Sequence, residues 1–117
     1  MQGAYADGYD VQIAKIVCKA LGGEPVAVKQ SFSGLIDSLN NGQIDLIIAG
    51  MSATPEREES VGFSDPYFIG YFGLFVKEGS PYQNATKLSD FSGATVLGQK
   101  DTMLDTVIDE IPGVVHN

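Results

Sequence analysis

The stretch IDLIIAGMSATPERE, residues 44–58, decides the predicted fold. Its first part, residues 44–49, is a nearly continuous apolar run, which is typical of a strand in a parallel sheet covered by helices on both faces. Residues 50–52 then read Gly-Met-Ser, and Thr54 with Pro55 forms a favourable helix start. The stretch therefore predicts a buried strand that ends in small residues and leads directly into a short helix.

Helical and strand patterns alternate on both sides of this stretch. Residues 9–21 place apolar side chains on one stripe at helical spacing, and Gly22-Gly23 supplies a stop. In chain order we predict helix 9–21, strand 24–30, helix 31–42, strand 44–49, short helix 55–60, strand 70–77, helical turn 88–91, strand 94–98 and helix 102–110. The order predicts an α/β fold with right-handed crossovers.

Composition limits the class of function. The chain has 117 residues, of which 15 are acidic and 7 are basic, and its formal net charge is -8. Such a charge argues against nucleic acid and against an anionic membrane surface as partners. Cys18 is the only cysteine, so no intrachain disulfide forms, and we expect it to pack at the edge of its helix. The single histidine, His116, is interpreted as incidental, and we expect no metal, no cofactor and no catalytic residue.

Ligands of open α/β sheets bind beyond the carboxyl ends of the strands, where residues 50–52 are predicted to lie. Gly50 lets a ligand approach the main chain closely, and Ser52 offers a hydroxyl group and an N–H. Arg57 falls near the start of the next helix, where its planar guanidinium suits a bidentate anion such as a carboxylate or a phosphate. The alternatives are a turn glycine, a capping serine, and an arginine that is solvated or paired with glutamate.

Three stretches extend this local pattern: GYDVQIAKIVCKALG (8–22), FSGLIDSLNNGQIDLIIAGMSATPERE (32–58) and VGFSDPYF (61–68). Their order and nearly ungapped spacing resemble the polar amino-acid binding proteins of bacterial ABC importers. The resemblance covers roughly residues 8 to 103. Those proteins have the two-lobed, extracytoplasmic periplasmic-binding fold of type II, so the resemblance implies an α/β lobe with a largely parallel sheet flanked by helices.

The resemblance also implies roles for the matching positions. Phe32 matches an aromatic residue that stacks on the ligand side chain, with core packing as the alternative. Gly50 matches the position whose main chain meets the ligand amino group, and Ser52 matches a hydroxyl group that contacts the ligand. Arg57 matches the arginine that clamps the α-carboxylate, whereas Asp65 matches a structural residue. The implied ligand contacts are Phe32, Gly50, Met51, Ser52, Arg57 and Thr102.

Residues 98–103, GQKDTM, depart from the pattern of the second lobe. The family has a turn of the type Gln-x-Gly-Thr-Thr at this point, followed by a helix whose first amides help to hold the carboxylate. Thr102 retains that role, but Asp101 stands where glycine is usual and Met103 where a small hydroxyl residue is common. These departures indicate altered ligand choice as one interpretation.

Compared with the family, the chain lacks the first strand and most of the second lobe, so we interpret it as a fragment. Residues 1–78 are assigned to most of lobe 1, including a strand close to the hinge, and residues 79–117 to the start of lobe 2. Unpaired sheet edges in such a piece predict self-association or domain swapping.

The resemblance implies an extracytoplasmic solute-binding component of an ABC transporter, either periplasmic or lipid-anchored at the outer face of the cell membrane. It would capture a free amino acid between two lobes, deliver it to a membrane permease, and catalyse no reaction. Two alternatives stay open: a ligand-sensing domain of a membrane receptor, and a periplasmic dehydratase on the same fold. The sequence does not identify the amino acid.

Overall fold

The computed structural model describes residues 7–117. Packing divides the chain into two compact units, residues 1–65 and 66–117. The lobe boundary expected after residue 78 stays a prediction. No helix among residues 7–117 is long and apolar enough to cross a membrane, and helix α1, Tyr9–Ala20, has 12 residues.

Helix α1 begins and ends close to the predicted bounds. Asp10 lies in its first turn and Lys19 in its last turn, so both charges complement the helix dipole. Gly22 follows with a φ of 81°, a left-handed conformation that glycine adopts without steric cost, and Gly23 donates its N–H to the carbonyl oxygen of Cys18 at 2.9 Å. No residue of α1 is buried. The local sequence pattern was therefore sufficient to locate the helix, without any buried contact to other parts of the chain.

The predicted second helix is confirmed, with a tighter first turn. Phe32–Gly34 forms a 3₁₀ turn that continues directly into α2, Leu35–Asn40. Leu35 and Ser38 are buried and anchor α2. Helix α3, Pro55–Glu58, starts at the predicted cap and proline but ends before residue 60.

The strands predicted at residues 24–30, 44–49 and 70–77 are wrong for this structure. Strand pairing in the described part of the chain is confined to β1, Thr95–Val96, and β2, Val115–His116. Leu46, expected inside a buried strand, is 50% exposed. An apolar run indicates a preference for burial. A strand also needs a neighbouring strand with which it forms backbone hydrogen bonds. No described segment pairs with these three runs.

The second unit holds the parallel pair and the best-packed core. The prediction of a strand near residues 94–98 is confirmed over β1, which pairs in parallel with β2 so that Thr95 lies opposite Val115. The core combines buried Phe91, Ala94 and Ile111 with flanking side chains. Burying a side chain such as Phe91 contributes about 2 to 3 kcal/mol.

Two helical elements flank β1. A 3₁₀ turn, Leu88–Phe91, precedes it, and α4, Met103–Ile108, follows it. Gly98 separates β1 from α4, and a Cβ atom there would lie 2.8 Å from Cδ1 of Ile108 and 3.0 Å from Cα of Asp105. This close approach requires glycine, and it sets the position of the turn that carries residues 99–102.

An apolar segment of the second unit lies on its surface. Ile69 is 87% exposed, while Tyr71 and Phe75 are fully exposed. A cavity of about 830 Å³ within the same unit is lined in part by residues 72–77. None of the predicted ligand contacts lines this cavity, so it does not coincide with the expected site.

Candidate functional site

The backbone of α3 determines the position from which the Arg57 side chain extends. Thr54 has extended backbone angles, and its Oγ1 accepts a hydrogen bond from the backbone N–H of Arg57 at 3.3 Å. This contact is a side-chain cap, which satisfies one of the donors left unpaired at a helix start. Pro55 occupies the first helical position, where its missing N–H costs nothing. The cap and the proline together fix the backbone from which the arginine side chain extends.

The guanidinium group of Arg57 turns back over its own loop. Its Nη1 atom donates a hydrogen bond to the carbonyl oxygen of Ser52 at 2.9 Å. The hydroxyl group and N–H of Ser52 are the groups expected to contact a ligand, whereas its carbonyl oxygen is the atom that contacts Arg57. Arg57 is half-buried and Ser52 is exposed, so the charged group lies at the edge of the loop.

Phe32 provides a second contact for the same group. The Cζ atom of Arg57 lies 5.4 Å from the centroid of the Phe32 ring, within the range of a cation–π interaction. Such contacts contribute about 0.5 to 2 kcal/mol, more when the pair is shielded from water. The contact joins two segments that are far apart in sequence, and it was not expected from residue spacing. Three of the predicted residues, Phe32, Ser52 and Arg57, therefore form one cluster in the first unit.

Gly50 is required by its backbone conformation. Its φ of 61° lies in the left-handed region, where a side chain is unfavourable. A Cβ atom there would meet no other atom within 4 Å, so crowding is not the reason for glycine. Met51 is half-buried and links Gly50 to Ser52. This conformation fits the turn-glycine interpretation and is compatible with a ligand that approaches the main chain.

Thr102 lies in the second unit at the position before α4. Its backbone is extended, and its Oγ1 donates a hydrogen bond to the carbonyl oxygen of Gln99 at 2.6 Å. Asp101 has a φ of 63° and is the one residue other than glycine with a positive φ among residues 7–117. Aspartate tolerates this conformation better than most residues. The structure thus gives a physical reason why glycine suits position 101.

His116, which was interpreted as incidental to any catalysis, bridges two carboxylates. Its Nδ1 atom lies 2.8 Å from Oδ1 of Asp109, and its Nε2 atom lies 2.8 Å from Oδ1 of Asp105. An ionised carboxylate only accepts hydrogen bonds, so this arrangement favours the imidazolium, in which both ring nitrogens donate. These hydrogen bonds, first that of Asp109 and then that of Asp105, raise the pKa of His116. The bridge connects β2 to α4.

Among residues 7–117, no group of three or more His, Cys, Asp or Glu side chains is arranged to hold a metal ion. The bridge at His116 illustrates the reason: each ring nitrogen faces a different carboxylate, so the three side chains do not converge on one point.

The cluster around Arg57 combines a cation, an aromatic ring and main-chain atoms. Its chemistry suits recognition of a small anion.

Residues 2–111 match the family of bacterial extracellular solute-binding proteins, family 3, and the chain belongs to this family. The predicted identity as a solute-binding protein of the ABC transporter type is thereby confirmed. Relatives in this family are binding proteins and not enzymes, and they act outside the cytoplasm.

Two relatives and one solved structure illustrate the similarity. The arginine-binding extracellular protein ArtP of Bacillus subtilis is 38% identical over 89 residues, 76% of this chain and 34% of that protein. The glutamine-binding protein of Geobacillus stearothermophilus is 39% identical over 97 residues, 80% of this chain and 36% of that protein. A crystal structure of a mutant of ArgBP from T. maritima has a TM-score of 0.77 and 33% identity, covering 100% of this chain and 52% of that chain.

The chain thus spans about a third of the length of these curated relatives and about half of the solved structure. ArgBP is a type II periplasmic binding protein, so the predicted fold class is confirmed: an α/β lobe of that type with a partial, mostly parallel sheet and flanking helices. The three runs that remain unpaired here do not alter this class, because the match to that structure has a TM-score of 0.77.

Proposed function

We propose that this protein is the extracytoplasmic solute-binding component of an ABC importer and that Arg57 clamps the α-carboxylate of a free amino acid. The observation that carries the proposal is the fixed position of Arg57. Its backbone N–H is capped by Thr54, and its Nη1 donates a hydrogen bond to the Ser52 carbonyl oxygen. Its guanidinium also makes a cation–π contact with the Phe32 ring. A guanidinium that is already ordered loses less conformational freedom when it binds a carboxylate.

The neighbouring residues support the same proposal. Gly50 gives the ligand amino group access to the main chain, and the hydroxyl group of Ser52 contacts the ligand. Met51 contributes through its main chain between them, and Phe32 borders the site. In the second unit, Thr102 is proposed to contribute its hydroxyl group, which requires its bond to Gln99 to be exchanged for one to the ligand.

The names of the relatives support an amino-acid ligand, since they describe an arginine-binding and a glutamine-binding protein. The proposed partner is the permease of an ABC transporter, and the proposed location is the periplasm or, through a lipid anchor, the outer face of the cell membrane. Self-association stays a prediction, and sedimentation of the purified protein would test it.

The test is calorimetric titration of the full-length protein with a panel of amino acids, each compared with its α-carboxamide. Removing one member of a buried charge pair costs about 2 to 5 kcal/mol, so Arg57→Ala should weaken binding of the best ligand by roughly 30-fold to 4,000-fold. The wild type should also prefer the carboxylate to the carboxamide, and Arg57→Ala should lose that preference.

Glu58→Gln is the matched control, since it changes an exposed charge in the same helix. It should leave both affinity and preference unchanged. If Arg57→Ala discriminates the carboxylate from the carboxamide as strongly as the wild type does, the clamp is refuted.

A further inference from the structure

We infer that Phe32 is a positioning residue for Arg57: its ring holds the guanidinium in place before a ligand arrives. This inference rests on the proposed function, because it concerns how the same arginine is oriented. It differs from the role that the resemblance implies for Phe32, which is stacking on the ligand side chain. The two roles make different demands on the ring, so they can be separated by experiment.

The first support is that two different kinds of contact restrain the guanidinium. The hydrogen bond from Nη1 to the Ser52 carbonyl oxygen, 2.9 Å, restrains one edge of the group. The Phe32 ring, with its centroid 5.4 Å from Cζ, supplies a cation–π contact to the same group. An arginine side chain has many rotamers, and one hydrogen bond still permits rotation about it. The ring adds a second restraint to that hydrogen bond.

The second support is that Phe32 stands on an anchored element. It begins the 3₁₀ turn that runs without interruption into α2, which is held by buried Leu35 and Ser38. The carbonyl oxygen of Ser38 accepts hydrogen bonds from the N–H groups of Gln43, at 2.9 Å, and Ile44, at 3.4 Å. The ring is therefore attached to the best-buried part of the first unit, whereas Arg57 extends from a single helical turn.

The two roles predict different patterns of affinity. A positioning residue acts on the carboxylate end, which all α-amino acids share, so its loss should weaken every ligand by a similar factor. A residue that stacks on the ligand side chain should affect ligands according to that side chain. The range typical of cation–π contacts corresponds to roughly a 3- to 30-fold loss of affinity.

The experiment uses Phe32→Leu in the full-length protein, titrated with L-arginine, L-glutamine and the carboxamide of whichever binds more tightly. We expect a similar fold-loss for each amino acid that binds and a much smaller loss for the carboxamide. Phe32→Tyr, which keeps the aromatic face, should restore wild-type affinity. Ser33→Ala changes the exposed neighbour on the same turn and serves as the control.

A second measurement does not depend on ligand binding. In the ligand-free protein, the ¹H–¹⁵N signal of the Arg57 Nε–H group, assigned by its loss in Arg57→Ala, should be displaced by the ring current of Phe32. Phe32→Leu should remove that displacement, while Phe32→Tyr should preserve it. An unchanged Arg57 signal in Phe32→Leu overturns the inference, as does a fold-loss that is equal for carboxylate and carboxamide.

The outcomes separate this inference from the proposed function. If Arg57→Ala abolishes carboxylate preference but Phe32→Leu leaves the Arg57 signal unchanged, the clamp stands and the positioning role is overturned. If Arg57→Ala leaves the preference intact, the clamp itself fails, even where the ring-current displacement is observed.

Discussion

Replacing Gly50 by alanine should separate the backbone requirement of this turn from any ligand contact. Its φ of 61° places a new Cβ atom in the left-handed conformation, which costs roughly 1 to 2 kcal/mol for a residue other than glycine. No atom lies within 4 Å of that Cβ position, so there is no additional clash. Alanine also restricts the unfolded chain, which offsets about 0.4 to 1 kcal/mol. The free energy of unfolding should therefore fall by only about 1 kcal/mol.

Gly22 provides a matched control for this substitution. It lies in the same unit, its φ is 81°, and a Cβ atom there would also meet nothing within 4 Å. Gly22→Ala should therefore lower the free energy of unfolding by a similar amount. Urea denaturation of both full-length variants measures this quantity, and calorimetric titration measures amino-acid affinity. Only Gly50→Ala should weaken binding, because only that turn adjoins the arginine cluster.

Two results would refute this reasoning. A loss of several kcal/mol in Gly50→Ala but not in Gly22→Ala would show that the space around residue 50 is filled. Equal affinities in the two variants would show that the main chain at residue 50 does not contact the ligand.

Three further predictions concern the second unit. The folded-state pKa of His116 is raised above its ordinary value of 6.5. The bridge to Asp105 and Asp109 should therefore stabilise the fold most below pH 6.5 and lose this effect as the pH rises through the raised pKa. Urea denaturation of the wild type and of His116→Gln across this range should show a difference in the free energy of unfolding that shrinks as the pH rises. Asp101→Gly should change the free energy of unfolding little, whereas Asp101→Val should lower it by about 1 to 2 kcal/mol, because a branched side chain is strained at a φ of 63°; thermal unfolding would contradict this if both variants behaved alike. Gly98→Ala should cost about 1 to 3 kcal/mol, because its Cβ atom would collide with α4; an unchanged midpoint in urea would exclude that clash.

Helix positions were largely predictable because their signals are local. Thr54 and Pro55 specify the start of α3 within a few residues, and Gly22 marks the end of α1 through its own backbone conformation. Strands were predictable only where a partner is present. Residues 94–98 meet β2, whereas residues 44–49 have an equally apolar pattern and no described partner.

The site was predictable to a similar extent. The turn at Gly50 and the capped start of the helix that carries Arg57 follow from residue type and order. The contacts of the guanidinium do not, because they depend on how a separate segment brings Phe32 over the loop. The His116 bridge was missed for the same reason: its partners are Asp105 on α4 and Asp109 at the C-cap of that helix, and their spacing is informative only once β2 is known to lie beside them.

The exposed aromatic segment around Tyr71 and Phe75 has a practical consequence for ligand screening. Reporter dyes such as ANS fluoresce on exposed hydrophobic surface, so this 117-residue chain should give a bright signal before any heating. A dye-monitored melting screen would then start near saturation and conceal ligand effects. The chain has five tyrosines and no tryptophan, so intrinsic tyrosine emission offers a dye-free alternative. A dim initial signal would mean that another surface covers the segment.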